Sequence, residues 1–180
     1  MEIIPFDRES NEFRQSLASL LAACFPHCYA DCAVEEVEEY LSEDRIALMA
    51  LSDGHLAGFV GAAPHYGVTG WELHPLAVFP ENQGQGIGKA LVKALEAEVL
   101  KRGGVTLYLG TDDEFGMTSL SDVDLYDHLW ERIANIRNLK KHPYEFYQKL
   151  GFQIVGVLPD VNGFGKPDIY MAKRIQSGME

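Results

Sequence analysis

Residues 71–110 constrain the fold more than any other stretch. The run 71–78 (WELHPLAV) suits a strand, a glycine-rich turn follows at 83–88 (QGQGIG), and residues 87–101 form the clearest helix. Ile87, Leu91, Ala94, Leu95 and Val99 make a broad apolar stripe at helical spacing. Residues 105–110 (VTLYLG) then read as a buried strand. Strand, helix and strand in that order imply a right-handed crossover and a parallel pair.

The rest of the chain mixes both kinds of element. Residues 2–6 read as a short first strand, with Pro5 at its end or on an edge. Residues 10–23 place Phe13, Leu17, Leu20 and Leu21 at helical spacing, with Ser10 or Asn11 as the cap. Residues 33–41 form a very acidic helix with Val34, Val37 and Leu41 on one side. Strands follow at 46–52 and 56–64, joined by the tight hairpin signal Asp53-Gly54. With 71–78 they suggest an antiparallel meander. Helices are predicted over 121–136 and 143–150, and strands over 152–158 and 168–175. The expected class is α/β (α+β): a mixed, mostly antiparallel central sheet of about seven strands flanked by helices. At 180 residues, with no internal repeat and no long linker, the chain reads as a single domain, 1–180.

Charge narrows the partners. Fifteen basic residues against 27 acidic ones leave a net charge of −12. Such a chain repels nucleic acid and anionic membrane and attracts polycations. No apolar run approaches the ~20 residues that span a bilayer. Met1 to Phe6 does not resemble an export signal, and three cysteines do not make a disulfide framework. The expected compartment is the cytoplasm.

The glycine turn carries the chemistry. Glycines let backbone N–H groups approach a ligand, and a helix start offers unpaired donors and a positive dipole end, together a cradle for a diphosphate. Alone, a Gly-x-Gly turn fits an unliganded turn equally well. No Gly-Lys-Ser/Thr follows, so it is not a P-loop, and the Rossmann spacing is absent. Read as Gln83-x-x-Gly86-x-Gly88, it resembles the coenzyme A pyrophosphate motif of the GNAT N-acetyltransferases. Tyr147, Lys149, Gly151 and Phe152 match a second pattern of that family. The segments 70–76, 102–113, 142–152 and 155–173 extend the likeness over essentially the whole chain, and they resemble the aminoglycoside 6′-N-acetyltransferases.

The resemblance implies a GNAT fold, its sheet splayed between strands four and five. It implies acetyl-CoA as co-substrate, held by Leu76, Ala77, Val78, Gln83, Gly84, Gln85, Gly86, Ile87 and Gly88, with Tyr147 and Lys149. The implied reaction is acetyl transfer to the 6′-amine of an aminoglycoside, a drug-resistance activity. The insertion at 115–141 implies a homodimer. Asn135 and Asn138 lie too far upstream to match the family's coenzyme A asparagine.

Acetyl transfer by direct attack needs a neutral amine, a polarised carbonyl and a proton for the departing thiolate. The backbone at Leu76 to Val78 would supply donors, with Pro75 breaking the ladder. Glu72 and His74, two apart on a strand, share a side and could hold an ammonium and relay its proton. Each could equally be structural, the glutamate solvated and the histidine packed. Tyr147 is the candidate acid toward the sulfur; an aromatic core residue is the alternative. Carboxylates should recognise the cationic substrate: Asp112 and Asp113 first, then Glu114, Asp122, Asp124 and Asp127. Glu35, Glu36, Glu38 and Glu39 fit an exposed helix face better. Tyr66 and Trp71 could stack on sugar rings, or pack. Cys24, Cys28 and Cys32 with His27 lack the second ligand pair of a zinc site, so no metal is expected. His142 before Pro143 reads as a helix start. Two other functions compete: acetylation of another cationic amine, such as a polyamine or basic peptide, and non-catalytic sensing of acetyl-CoA.

Overall fold

A computed structural model describes residues 1–29 and 33–176. The chain forms two compact units, Met1–Leu107 with the end of the chain from Ile175, and Tyr108–Arg174.

The first unit is a meander covered by helices. Strands β1 (Glu2–Pro5), β2 (Ile46–Ser52), β3 (His55–Tyr66) and β4 (Gly70–Val78) pair antiparallel in sequence order. Pro5 ends the edge strand β1, where its missing N–H costs no ladder bond. Asp53 and Gly54 turn the β2–β3 hairpin with both residues at positive φ. Helix α1 (Asn11–Cys24) starts at Ser10, whose hydroxyl accepts from the Phe13 N–H at 3.3 Å. It buries Leu17, Leu20 and Leu21. A short α2 (Pro26–Tyr29) was not expected, whereas α3 (Ala33–Tyr40) follows the acidic pattern. Val37, Tyr40 and Leu41 join Phe6, Met49, Phe59 and Ala77 in one apolar core. Phe6 meets Phe59 edge-on at 5.7 Å. Burial of each Val, Leu, Met or Phe among them contributes roughly 1.5–3 kcal/mol.

Helix α4 (Ile87–Lys101) has the bounds its stripe predicts and buries Ile87, Leu91, Val92, Leu95 and Val99. Strand β5 (Thr106–Asp112) follows, beginning at the end of the first unit. The second unit contains the rest of β5, then α5 (Leu129–Ala134), α6 (Tyr144–Lys149), β6 (Gln153–Leu158) and β7 (Asp168–Arg174). Strands β6 and β7 pair antiparallel. The seven strands are ordered β1-β2-β3-β4-β5-β7-β6, a mixed α/β sheet as the sequence predicts.

The helix expected over 121–136 is cut to Leu129–Ala134. Residues 113–128 fold instead around local side-chain bonds, which compete with a helix. Asp113 takes the N–H groups of Met117 and Thr118, and Asp124 takes that of Tyr126. Asp122 and His128 adopt positive φ, which ends any helix there.

Candidate functional site

The turn after β4 is fastened by its own glutamines. Gln83 Nε2 donates to the Val78 carbonyl at 2.9 Å, and Gln85 Nε2 donates to the Glu81 carbonyl at 3.2 Å. A 3₁₀ turn at Pro80–Asn82 precedes them. Gly84 and Gly86 have φ of +75° and +85°, and a Cβ on either would meet nothing within 4 Å. Gly86 caps α4 in the left-handed conformation and offers no side chain to the helix. The first N–H groups of α4 have no acceptor within the helix, and no acidic residue stands in its first turn. Open space over two glycines, helix donors and a first turn of α4 without a carboxylate fit a bound diphosphate. Ile87 is buried and anchors the helix start, with Gly88 beside it.

On β4 the burial alternates. Trp71, Leu73, Pro75 and Ala77 are buried, while Glu72, His74, Leu76 and Val78 lie on the more open side. Two register shifts against β3 interrupt the pairing. At the first, Gly61 alone stands opposite His74 and Pro75, and a Cβ on Gly61 would lie 2.7 Å from the His74 carbonyl. Only glycine permits that approach. Pro75 therefore sits where the ladder is already broken. At the second shift the extra residue is His65, whose Nδ1 is 3.3 Å from a Glu72 carboxylate oxygen. His74 Nε2 lies 3.1 Å from the Tyr40 hydroxyl. Leu76, Ala77 and Val78 pair with Val60, Phe59 and Gly58 of β3. The Val78 carbonyl also accepts from Cys24 Sγ at 3.3 Å, and burial pushes that thiol's pKa up.

In the second unit, Tyr147 lies on α6 at 9 % exposure, edge-on to Phe146 and Phe152 at 5.1 and 5.7 Å. Burial raises its phenol pKa well above the ordinary value. Lys149 is exposed on the last turn of the same helix. His142 is buried: its Nδ1 accepts from the Tyr144 N–H at 3.2 Å, and its Nε2 lies 3.0 Å from the Asp112 carbonyl. Because Nδ1 accepts an N–H, the ring is neutral with Nε2–H donating, and burial lowers its pKa despite the Asp112 carbonyl and the nearby carboxylates. His142 thus fixes the α6 entry, and Pro143 stands at the cap. Asn138 brackets His142 through both its carbonyl and its N–H, at 2.9 and 2.7 Å.

The substrate candidates have different environments. Asp112 is exposed and accepts from Asn162 Nδ2. Asp113 is fully buried, and its two oxygens take Met117 N–H at 2.6 Å and Thr118 N–H at 2.8 Å. Burial alone would raise its pKa, but bonds from Ser121, Met117 and Thr118 outweigh burial and hold it below the usual carboxylate range. The sign follows: a depressed folded pKa adds stability above the unfolded value of about 3.9, lost as pH falls through the folded value. Asp113→Ala is expected to cost about 2 kcal/mol at pH 7 and to flatten the acid limb of stability, read by urea melts against pH.

Tyr66 is 72 % exposed, whereas Trp71 is at 3 %. The Trp71 indole N–H donates to the Val68 carbonyl at 2.8 Å, and the Arg102 guanidinium lies 5.6 Å from its ring, a packing arrangement with no open ring face. Of the acidic helix, Glu38 pairs with Arg14 and Glu39 with Arg45. Cys32 lies outside the described residues, as does the side chain of Cys28. Among the described residues no group of three potential ligands could hold a metal.

The GNAT acetyltransferase family model matches residues 14–121. That span is more than half of the chain and contains β4, the glycine turn and α4. The chain belongs to the GNAT acetyltransferase family. Solved structures extend the likeness beyond the family segment. An aminoglycoside 6′-N-acetyltransferase complexed with coenzyme A is 50% identical over 100% of both chains, with a TM-score of 0.98. The aminoglycoside 6′-N-acetyltransferase from Enterococcus faecium is also 50% identical over 100% of both chains, with a TM-score of 0.96. An aminoglycoside 6′-acetyltransferase type Ii is 44% identical over 99% of this chain and 100% of its own, with a TM-score of 0.80. No curated protein sequence matches the chain.

For this GNAT chain, sequence reasoning missed two neighbours of the β4 pair, Tyr40 and His65. Tyr40 stands three residues after Val37, on the same helix face, so its burial was legible. Its bond to His74 was not, because that depends on where α3 lies against the sheet. His65 was hidden because a bulge, not strand alternation, sets its direction.

Proposed function

We propose that the protein transfers the acetyl group of acetyl-CoA to the 6′-amine of aminoglycosides by direct attack in a ternary complex. The observation that carries the reading is the end-to-end 50% identity with an aminoglycoside 6′-N-acetyltransferase that was solved with coenzyme A. The open glycine turn at Gly84–Gly86 supports it. Gln83, Gly84, Gln85, Gly86, Ile87 and Gly88 hold the diphosphate, and the Leu76–Val78 backbone holds the pantetheine arm, with Lys149 near the nucleotide. A Leu76 backbone donor polarises the acetyl carbonyl. The amine nitrogen bonds to the carbonyl carbon, the carbon–sulfur bond breaks, the amine's proton passes to a base on β4, and the thiolate is met by the Tyr147 hydroxyl. Glu72 and His74 line the amine side. Tyr66, Asp112 and the net charge of −12 favour a polycation. Trp71 and Asp113, both buried, support the site through packing and loop geometry.

Acetylation turns a cationic ammonium into a neutral amide, which weakens a drug that binds through its charges, so we assign an antibiotic-resistance activity. The cytoplasm, where acetyl-CoA is made, is the assigned compartment. No helix of the described residues is long and apolar enough to cross a membrane. We take residues 1–180 as one acetyltransferase domain. We assign a homodimer, supported by the exposed Tyr126, Trp130 and Leu139 of the 115–141 insertion. Sedimentation should give about twice the 20.1 kDa chain mass.

The deciding experiment follows thiol release from acetyl-CoA across an amine panel. Sugars with a 6′-amine should turn over and their 6′-hydroxyl analogues should not. Activity on polyamines or basic peptides alone would replace this substrate with another cationic amine. Calorimetric binding of acetyl-CoA without turnover of any amine would leave only a sensor. Glu72→Gln is expected to lower kcat about tenfold or more with little change in coenzyme A binding. Substrate KM should rise with added salt.

A further inference from the structure

Tyr40 is the last residue of α3 and is 3 % exposed, yet its hydroxyl reaches a polar partner on β4. Its Oη lies 3.1 Å from His74 Nε2, and the two rings meet edge-on at 5.5 Å with an interplanar angle of 65°. Tyr40 is held by side-chain packing, and His74 by its backbone. Val37 and Leu41 flank Tyr40 in the core, Arg45 lies 5.8 Å from its ring, and Glu39 pairs with Arg45. His74 is fixed by the bulge that Gly61 allows. Two ring side chains with two rotatable bonds each lose little entropy in making this bond, unlike a surface ion pair of long side chains.

We propose that Tyr40 is a positioning residue that holds His74 as the neutral Nδ1–H tautomer. A phenol O–H is a better donor than an imidazole N–H, and an imidazole nitrogen is a better acceptor than a phenol oxygen. The stronger arrangement is therefore O–H donating to Nε2, which places the ring proton on Nδ1. With its Nε2 lone pair engaged, His74 acts as a hydrogen-bond donor. The proton released by the amine then falls to the Glu72 carboxylate, whose own neighbour is His65 Nδ1 at 3.3 Å. The tautomer rests on the 3.1 Å contact and on the relative donor strengths of phenol and imidazole; only this catalytic consequence rests on the function proposed above.

Nitrogen NMR of the full-length, ligand-free protein at about pH 8, above the ordinary histidine range, reads the tautomer directly. His74 should show an acceptor-type Nε2 and a protonated Nδ1. In Tyr40→Phe, which keeps the buried ring, the signals should move toward a tautomer mixture. A protonated Nε2 in the native protein, or an unchanged spectrum in the variant, overturns the proposal. Tyr40→Phe should also lower kcat by about tenfold with the amine KM within about twofold. A raised KM with unchanged kcat would make Tyr40 a binding residue and overturn it too. If the native protein acetylates no 6′-amine while the predicted nitrogen signals are present, the function reading fails and the Tyr40–His74 couple stands.

Discussion

Tyr147→Phe is expected to lower kcat by about a hundredfold or more and to leave the fold intact. The fold survives because the ring makes the packing: it meets Phe146 and Phe152 edge-on, and phenylalanine keeps both contacts. What is lost is one hydroxyl. Burial holds the phenol protonated well above its ordinary range. A thiol has a pKa near about 8.5, so complete transfer of that proton to a free thiolate runs uphill. In the proposed mechanism the hydroxyl therefore serves mainly as a donor to the sulfur while negative charge develops, when such a bond is worth most. The loss should appear in kcat and in kcat/KM alike. No basic limb from this phenol should appear in the pH–rate profile below about pH 10. Steady-state thiol release with a thermal melt checks both halves. Full turnover in the variant would remove Tyr147 from the mechanism.

Gly61→Ala should cost about 2–3 kcal/mol and lower Tm by roughly 5–10 °C. The added Cβ would stand 2.7 Å from the His74 carbonyl oxygen and 3.4 Å from Phe59 Cε1. The first is backbone, tied into β4, so relief requires opening the β3–β4 bulge. Opening it moves His74, so turnover should fall further than the loss of folded protein explains. Gly156→Ala is the control. It also lies in a strand, but a Cβ there meets nothing within 4 Å, so stability should hold within about 0.5 kcal/mol. Equal melts for the two variants would show that the bulge yields freely.

Much of the fold could be read from local pattern. The α4 stripe, the Asp53-Gly54 hairpin and the Ser10 cap each depend on residues a few positions apart. The region 113–128 resisted because its shape is set by the Asp113 carboxylate, whose capture of two N–H groups looks in sequence like a surface acid. Trp71 and Asp113 looked available to a substrate for the same reason: residue type suggests an affinity, and burial decides whether a ligand can reach it.

The order of the seven strands along the chain, the acidic charge and the glycine turn were legible in the sequence alone. These follow from periodicity, composition and backbone freedom, which are properties of neighbours along the chain. Only the tertiary structure decided that Gly61 makes room for the His74 carbonyl, that His65 bulges toward Glu72, and that Tyr40 reaches His74 across 34 residues. Each of those is a distance of about 3 Å between elements, fixed when α3 and β3 pack against β4.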